Sequence, residues 1–191
     1  MNAFSFELNG KHDPGGKVRL ALADDIESHA VFSDCERYRV LLSRRWRSET
    51  ARPGYVLWIG MNPSTADAKF DDPTVKKERK YTNRWGYSHY VKCNVMDYRA
   101  TKPKMLLEPG VIPCSEENLK AIIEAAKGAS LVMLAFGAPH KKLRIYGERV
   151  VDELTKLGIP LYCLAHTKDG LPAHPLYQLD SSEPIPFRQA A

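Results

Sequence analysis

The chain has 191 residues, 43% of them hydrophobic, which is enough for one domain with a substantial core. Its net charge of +5 is compatible with a nucleic-acid partner, although a merely basic surface explains the same excess. We find no signal peptide, no membrane-spanning run and no zinc-ligand spacing among the four cysteines. We therefore expect a cytoplasmic, monomeric protein with reduced thiols and without a metal or cofactor.

Strands are predicted where apolar residues alternate or run continuously. The first, FSFEL at residues 4–8, lies in a segment, residues 1–30, that we expect to be peripheral. The next five are predicted at residues 38–46, 55–60, 89–96, 130–137 and 161–165. Three of them are short, continuous apolar runs, which is typical of buried parallel strands. Residues 181–191 are predicted to be a flexible tail.

Amphipathic helices are predicted between these strands. Asp72 is expected to cap the first helix, with Pro73 at its first position. Ser115 is expected to cap the second, and residues 141–158 are predicted to form the third. Because strands and helices alternate, the pattern predicts a single α/β domain over residues 1–191 with a mainly parallel central sheet.

Polar residues follow the predicted strands at their carboxyl ends. MNPSTAD follows the second strand of this series, Asn94 ends the third, and His166 and His174 follow the last. Ligands of parallel α/β sheets bind beyond these ends, so the pattern predicts a pocket at one edge. Neither GxGxxG nor a Walker loop is present, which argues against a dinucleotide or nucleoside triphosphate site.

Each of these residues also has a purely structural interpretation. Asn62 before Pro63 is a common turn signal, and Asp72 alone is more typical of a helix cap than of a catalytic group. His174 before a proline is equally compatible with an ordinary loop. The prediction of a pocket depends on all of them sharing one edge of the sheet.

Several long strings resemble a widespread bacterial and phage family that is catalogued as domain of unknown function 1643. In chain order they are AVFSDCERYRVLLSRRW, GMNPSTADAKFDDPT, NRWGY, CNVMDYRAT with Lys102-Pro103, and TKDGLPAHPLY. They cover roughly residues 30–178 and are specific because they are long and unusual. The chain departs from the family pattern at Leu171, where a histidine is usual, and at His166, where an apolar residue is usual. The family name implies no chemistry.

The order of elements is also similar, more distantly, to the uracil-DNA glycosylase superfamily. That fold is an α/β three-layer sandwich, and the resemblance implies the same architecture with a mainly parallel central sheet. Gly60-Met61-Asn62-Pro63-Ser64 resembles the GMNPG motif of two branches, with serine in the last place. Asn94 stands where the superfamily has an asparagine that reads the base edge. The last motif, HPS, is matched by His174-Pro175 or by His166, and the residues leave both open.

The resemblance implies hydrolysis of the N-glycosidic bond of a nucleotide that is flipped out of the stack. Asn62 would hold the attacking water. Because an amide is a weak base, a carboxylate would assist, and the candidates are Asp67, Asp71 and Asp72. His174 or His166 would donate a hydrogen bond to the departing base.

The resemblance also assigns binding residues. Asn94 would form paired hydrogen bonds with the base edge, since its amide offers a donor and an acceptor. Phe70 or Tyr98 would stack on the base. The base pocket would be completed by Met61, Pro63 and Ser64. The cations expected at DNA phosphates are Lys76, Arg84, Arg99, Lys102 and Lys168.

We therefore expect a monofunctional DNA glycosylase that excises a modified base. The hydroxyl and carboxylate groups of STADAKFDDPT suit glucosylated or otherwise hypermodified cytosine, as in phage DNA, and so indicate an antiviral defence enzyme. Two alternatives stay open. One is a hydrolase of a small nucleotide or nucleoside, and the other is a non-catalytic nucleic-acid-binding module of the same fold.

Overall fold

The computed structural model describes residues 18–187, which form a central sheet with helices on both faces. The strands are β1 (Leu20–Ala21), β2 (Ile26–Phe32), β3 (Arg39–Trp46), β4 (Val56–Gly60), β5 (Phe70–Asp71), β6 (His89–Asn94), β7 (Leu131–Leu134), β8 (Leu161–Cys163) and β9 (Ile185–Pro186). The helices are α1 (Pro73–Arg84), α2 (Asn118–Lys127) and α3 (Arg144–Lys156). The strand predicted at residues 4–8 lies outside the described residues.

The central sheet is mixed, which corrects the prediction of a mainly parallel sheet. Its seven strands run in the order β2-β3-β6-β4-β7-β8-β9. The four inner strands β6, β4, β7 and β8 are parallel, whereas β2, β3 and β9 join antiparallel. The physical reason is that the edge strand β2 has one solvated face, an alternation that suits antiparallel pairing, while β4 is buried on both faces.

The two edge strands of this sheet, β2 and β9, lie near the two ends of the described chain, whereas β1 pairs with β5 in a separate two-stranded sheet. The strand β2 pairs with β3 along its whole length, so residues 26–30 are an edge strand and not only a peripheral segment. At the other end β9 pairs with β8, and Phe187 is buried in the core. Residues 185–187, which fall in the segment expected to be a flexible tail, are thus paired or packed in this structure.

The two faces of the sheet carry different helices, which gives three layers. On one face Trp58 of β4 stacks on Trp85 after α1, with ring centroids 5.5 Å apart, and its Nε1 donates to Thr82 Oγ1 at 3.0 Å. On the other face α2 and α3 pack through aliphatic residues such as Ile122 and Leu154. Burial of these faces fixes the ends of the central strands at one edge of the molecule.

One predicted helix cap is confirmed and one is wrong. Asp72 Oδ1 accepts a hydrogen bond from Val75 N at 2.9 Å, and Pro73 opens α1. Ser115 does not cap α2, which begins three residues later. Its backbone N and hydroxyl instead bind the buried carboxylate of Asp97, at 2.7 and 2.5 Å. The buried carboxylate of Asp97 requires hydrogen-bond donors, and this requirement determines the contacts of Ser115 more than the preference of serine for a helix N-cap does.

Candidate functional site

A cavity of about 560 Å³ opens where the parallel strands end. Gly60 at the end of β4, Asn94 at the end of β6 and Gly137 after β7 form part of its wall. His174, in the loop after β8, completes that part. The carboxyl ends of parallel strands thus meet at one cavity, as the strand pattern predicts.

Asn62 is held with its amide in one orientation. Its Nδ2 donates to the carbonyl oxygens of Pro63 at 2.9 Å and Ala100 at 2.7 Å. Both bonds use the nitrogen, so the carbonyl Oδ1 stays available as an acceptor in the cavity that Asn62 lines. The residue therefore stabilises the turn and can also hold a water or a hydroxyl group.

Asn94 meets a buried arginine that the sequence analysis did not single out. Arg39 Nη2 donates to Asn94 Oδ1 at 3.1 Å, and Arg39 Nη1 donates to Ala66 O at 2.9 Å. Asn94 and Arg39 both line the cavity, and their buried atoms Nδ2 and Nε have no hydrogen-bond partner among residues 18–187. An unpaired buried donor costs about 1–3 kcal/mol, so a ligand atom is expected to accept here.

A second buried cation, Lys92, lies beside this amide. A Cβ added to Gly60 would lie 2.7 Å from Asn94 Nδ2 and 3.0 Å from Lys92 Nζ, so only glycine allows both groups to approach. Lys92 Nζ donates to both carboxylate oxygens of Glu78, at 2.7 and 2.6 Å, and Tyr90 Oη donates to Glu78 at 2.7 Å. Burial raises the pKa of Glu78, and the charge and hydrogen bonds of Lys92 oppose that rise.

His174 is a neutral donor in this site. Burial, and then the charge of Lys92, lower its pKa to about 4, so the ring is uncharged at neutral pH. Its Nδ1 accepts from Leu176 N at 3.3 Å, which leaves the proton on Nε2. Gly137 has a left-handed φ of 66°, and a Cβ there would lie 3.4 Å from His174 Cβ. The backbone after β7 thus fits closely against the histidine.

Asp72 is both a helix cap and a residue of the cavity wall. It caps α1 through Oδ1, and it also lines the cavity, where its charge interacts with Arg39 and His174. Met61 and Ser64 line the cavity as well. The structure thus brings together Asn62, Asp72, Asn94, His174, Met61 and Ser64.

Three expected site residues have structural roles elsewhere. Asp67 Oδ1 accepts from Lys69 N at 2.7 Å and Phe70 N at 3.0 Å, so its carboxylate closes a turn and does not line the cavity. Asp71 is held by Arg44 at 2.9 Å and is likewise outside. His166 Nε2 donates to Phe187 O at 2.9 Å, which ties the loop after β8 to the end of the described chain. Of the two histidines, only His174 is in the cavity.

Three expected base-binding residues are also outside. Phe70 belongs to β5 and pairs with Ala21, so it neither stacks in the cavity nor closes it. Tyr98 makes an edge-on ring contact with Tyr38 at 5.6 Å. Pro63 is buried, and its carbonyl accepts from Asn62 and from Ala100 N at 2.9 Å.

The expected phosphate-binding cations divide into two groups. Arg99 is buried, stacks on Phe32 at 4.9 Å and donates to Glu36 O at 2.9 Å, so it is part of the fold. Arg84 is paired with Glu183 at 2.5 Å. The remaining three, Lys76, Lys102 and Lys168, are exposed and form no ion pair within residues 18–187. The neighbouring cations of α1, Lys77, Lys80 and Arg79, are paired with Asp180 or Asp71.

The residues that sequence reasoning missed are Arg39, Lys92 and Tyr177. Arg39 belongs to the alternation of apolar and basic residues in β3 that is usual for a half-solvated strand, and Lys92 is the single lysine of β6, so neither sequence position indicates a buried cation. Tyr177 lines the cavity although it is 85% exposed, and its ring centroid lies 5.6 Å from that of His174. An aromatic residue two positions after Pro175 was the available signal.

Within residues 18–187, no group of three or more His, Cys, Asp or Glu side chains is placed to hold a metal ion. No helix of that part of the chain is long and apolar enough to span a membrane.

The fold and the cavity define an α/β protein with a cavity, lined in part by polar side chains, at the carboxyl edge of its sheet. The chain belongs to the family described as protein of unknown function (DUF1643), whose sequence model matches residues 37–176. The resemblance stated on the sequence motifs is therefore confirmed for this family. Comparison with curated proteins gave no match. Comparison with solved structures gave none either, so the likeness to uracil-DNA glycosylases stays a proposal.

Proposed function

We propose that this protein is a DNA glycosylase that excises a modified base, with glucosylated or otherwise hypermodified cytosine as the preferred substrate. The observation that carries the proposal is the neutral His174, whose Nε2–H shares one cavity with the free carbonyl of Asn62. A neutral donor for a departing base and an acceptor for a water are the two groups that N-glycosidic hydrolysis requires. The volume of about 560 Å³ suits a substituted base.

In this mechanism the water bound by Asn62 Oδ1 attacks the sugar carbon C1′ as the C1′–N bond breaks. The bond's electron pair leaves with the base, and His174 Nε2–H donates a hydrogen bond to the base anion. Lys92, whose charge already acts on His174, adds electrostatic stabilisation. The carboxylate of Asp72 takes the proton of the water and releases it to solvent, the base anion takes up one proton from solvent, and the products are an abasic sugar and the free base.

The finer fold assignment belongs to the same proposal. Gly60-Met61-Asn62-Pro63 stands at the end of β4 and Asn94 at the end of β6, the arrangement that the glycosylase resemblance implies. Exposed Tyr177 at the cavity wall offers a surface on which a base or its neighbour can stack. We place the enzyme in the cytoplasm as a monomer, acting against phage DNA.

A base-release assay tests the proposal. The protein is incubated with plain, uracil-containing, hydroxymethylated and glucosylated DNA, and hot alkali then cuts any abasic sites. We expect cleavage of a modified-base substrate that is lost in His174→Ala. His140→Ala is the matched control, because His140 Nδ1 also accepts from the backbone two residues on, at 3.3 Å, but lies outside the cavity. Equal loss in both variants, or cleavage of no substrate, would contradict the proposal.

One observation favours a second function, hydrolysis of a free nucleotide or nucleoside. Most cations of α1 are paired within the protein, which leaves fewer charges for a DNA backbone than the sequence indicates. Release of a base from a free nucleoside, without any affinity for DNA, would favour this alternative. DNA binding that persists with no base release would instead indicate a binding module.

A further inference from the structure

Two buried nitrogen atoms at the wall of the cavity have hydrogen atoms to donate and no acceptor among residues 18–187. They are Asn94 Nδ2 and Arg39 Nε, and both side chains are 1% exposed. Both residues line the cavity. Since buried donors are normally satisfied, this wall is built for a ligand that presents acceptors.

Arg39 determines which end of the Asn94 amide faces the ligand. An arginine side chain carries donors only, so the oxygen of Asn94 must turn towards Arg39 Nη2, at 3.1 Å. The NH₂ end then lies against Gly60, within 2.7 Å of the place where a Cβ would stand. Rotating the Asn94 amide by 180° would place its NH₂ group against Arg39 Nη2, so that two hydrogen-bond donors would face each other. Arg39 cannot yield easily, because its Nη1 is held by Ala66 O at 2.9 Å.

The other groups beside Asn94 donate as well. Lys92 Nζ lies next to Gly60, and His174 carries its proton on Nε2. Two acceptors that also line the cavity, Asn62 Oδ1 and the Asp72 carboxylate, come from the segment between β4 and α1. The part of the wall that carries Asn94, Lys92 and His174 therefore favours a ligand whose facing edge carries hydrogen-bond acceptors.

Cytosine and uracil differ at the ring nitrogen N3, which would face the donors beside Asn94. Cytosine presents two neighbouring acceptors, the ring nitrogen N3 and the carbonyl O2, whereas uracil and thymine carry a hydrogen on N3. We infer that Arg39 is a positioning residue that holds Asn94 as a donor, so that the site takes cytosine-type bases and disfavours uracil-type bases. This inference rests on the proposed glycosylase function and specifies the hydrogen-bonding edge of its substrate.

The test compares bases that differ only at this edge. Oligonucleotides of one sequence carry 5-hydroxymethylcytosine or 5-hydroxymethyluracil at one position, each with and without glucose, and single-turnover base release is measured. Because the N3–H of a uracil-type base would face the Asn94 NH₂ group, we expect its rate of release to be lower by roughly 10- to 100-fold. Release of the uracil-type base at an equal or higher rate would overturn the inference and the proposed preference for cytosine, whereas the glycosylase activity itself would stand. Release of no base would refute both.

Arg39→Gln tests the positioning role. Glutamine can donate or accept, so Asn94 becomes free to rotate, and the ratio of the two rates should fall towards one. If both rates fall by the same factor and the ratio is kept, Arg39 is merely structural. Calorimetric binding of the two 5-hydroxymethyl deoxynucleosides to the unmodified protein is the measurement that does not depend on the folding of a variant. Preferential binding of the deoxycytidine form supports the inference, and equal binding contradicts it.

Discussion

The buried pair of Lys92 and Glu78 should link the stability of the fold to the charge in the cavity. Lys92→Met removes two of the three hydrogen bonds that the structure gives the Glu78 carboxylate and leaves the bond from Tyr90. A hydrogen bond to a charged group contributes about 1.5–3 kcal/mol, and breaking a buried ion pair costs about 3–5 kcal/mol in total. We therefore expect a loss of about 3–5 kcal/mol in the free energy of unfolding.

The loss should depend on pH. Burial already raises the pKa of Glu78, and removing the lysine removes the group that opposes this rise. A carboxyl group with a raised folded-state pKa binds its proton more tightly when folded, so stability decreases as the pH rises through that pKa. The deficit of Lys92→Met should accordingly grow as the pH rises above the ordinary pKa of a glutamate, about 4.3, and shrink as the pH falls towards it.

Urea unfolding followed by tryptophan fluorescence measures these differences across the pH range. The double variant Lys92→Met with Glu78→Gln removes both charges and should recover most of the stability. Because that variant still lacks a cation beside Gly60, its base release should stay low although it is folded. A Lys92→Met deficit below about 1 kcal/mol, or one that grows on acidification, would refute the reasoning.

Three further outcomes follow from the same geometry. Base release should show no inflection between about pH 5.5 and 7.5, where an ordinary histidine titrates, because the pKa of His174 is about 4; a rate that follows a pKa near 6.5 would contradict this. Gly60→Ala should lower release at least about tenfold through its contact with Asn94 and Lys92, whereas Gly147→Ala, whose Cβ would meet Phe136 at 3.1 Å, should affect thermal unfolding only. DNA affinity should fall with salt at a shallow slope of about −2.7, from the exposed lysines at 76, 102 and 168; a slope steeper than about −6 would show that the paired cations also bind phosphate.

Local sequence signals were sufficient where burial or capping is a local property. The run at β4 is apolar because both faces of that strand are covered, and Asp72-Pro73 marks the start of α1 through its own geometry. The polar edge was predictable too, since parallel strands end together. Asn62, Asn94 and His174 follow from that rule.

Local sequence signals did not predict strand pairing, capping or burial where these depend on residues far away in the chain. The alternation in β2 is weak, and its membership of the sheet depends on pairing with β3. Ser115 serves Asp97, a residue 18 positions earlier, and not its own helix. Arg39 looks like a surface residue until its contact with Asn94, 55 positions away, is known. Charged residues in strands have no spacing that shows which of them are buried.

Direct identification of the product tests the central claim. A purified oligonucleotide with one 5-glucosyl-hydroxymethylcytosine is incubated with the protein and with Asn62→Ala, and both the DNA and the small-molecule fraction are examined by mass spectrometry. The account predicts an intact strand with one abasic site and the free glucosylated base, both absent with Asn62→Ala. A strand cut at its phosphates, a released nucleotide, or unchanged DNA that stays bound would contradict it.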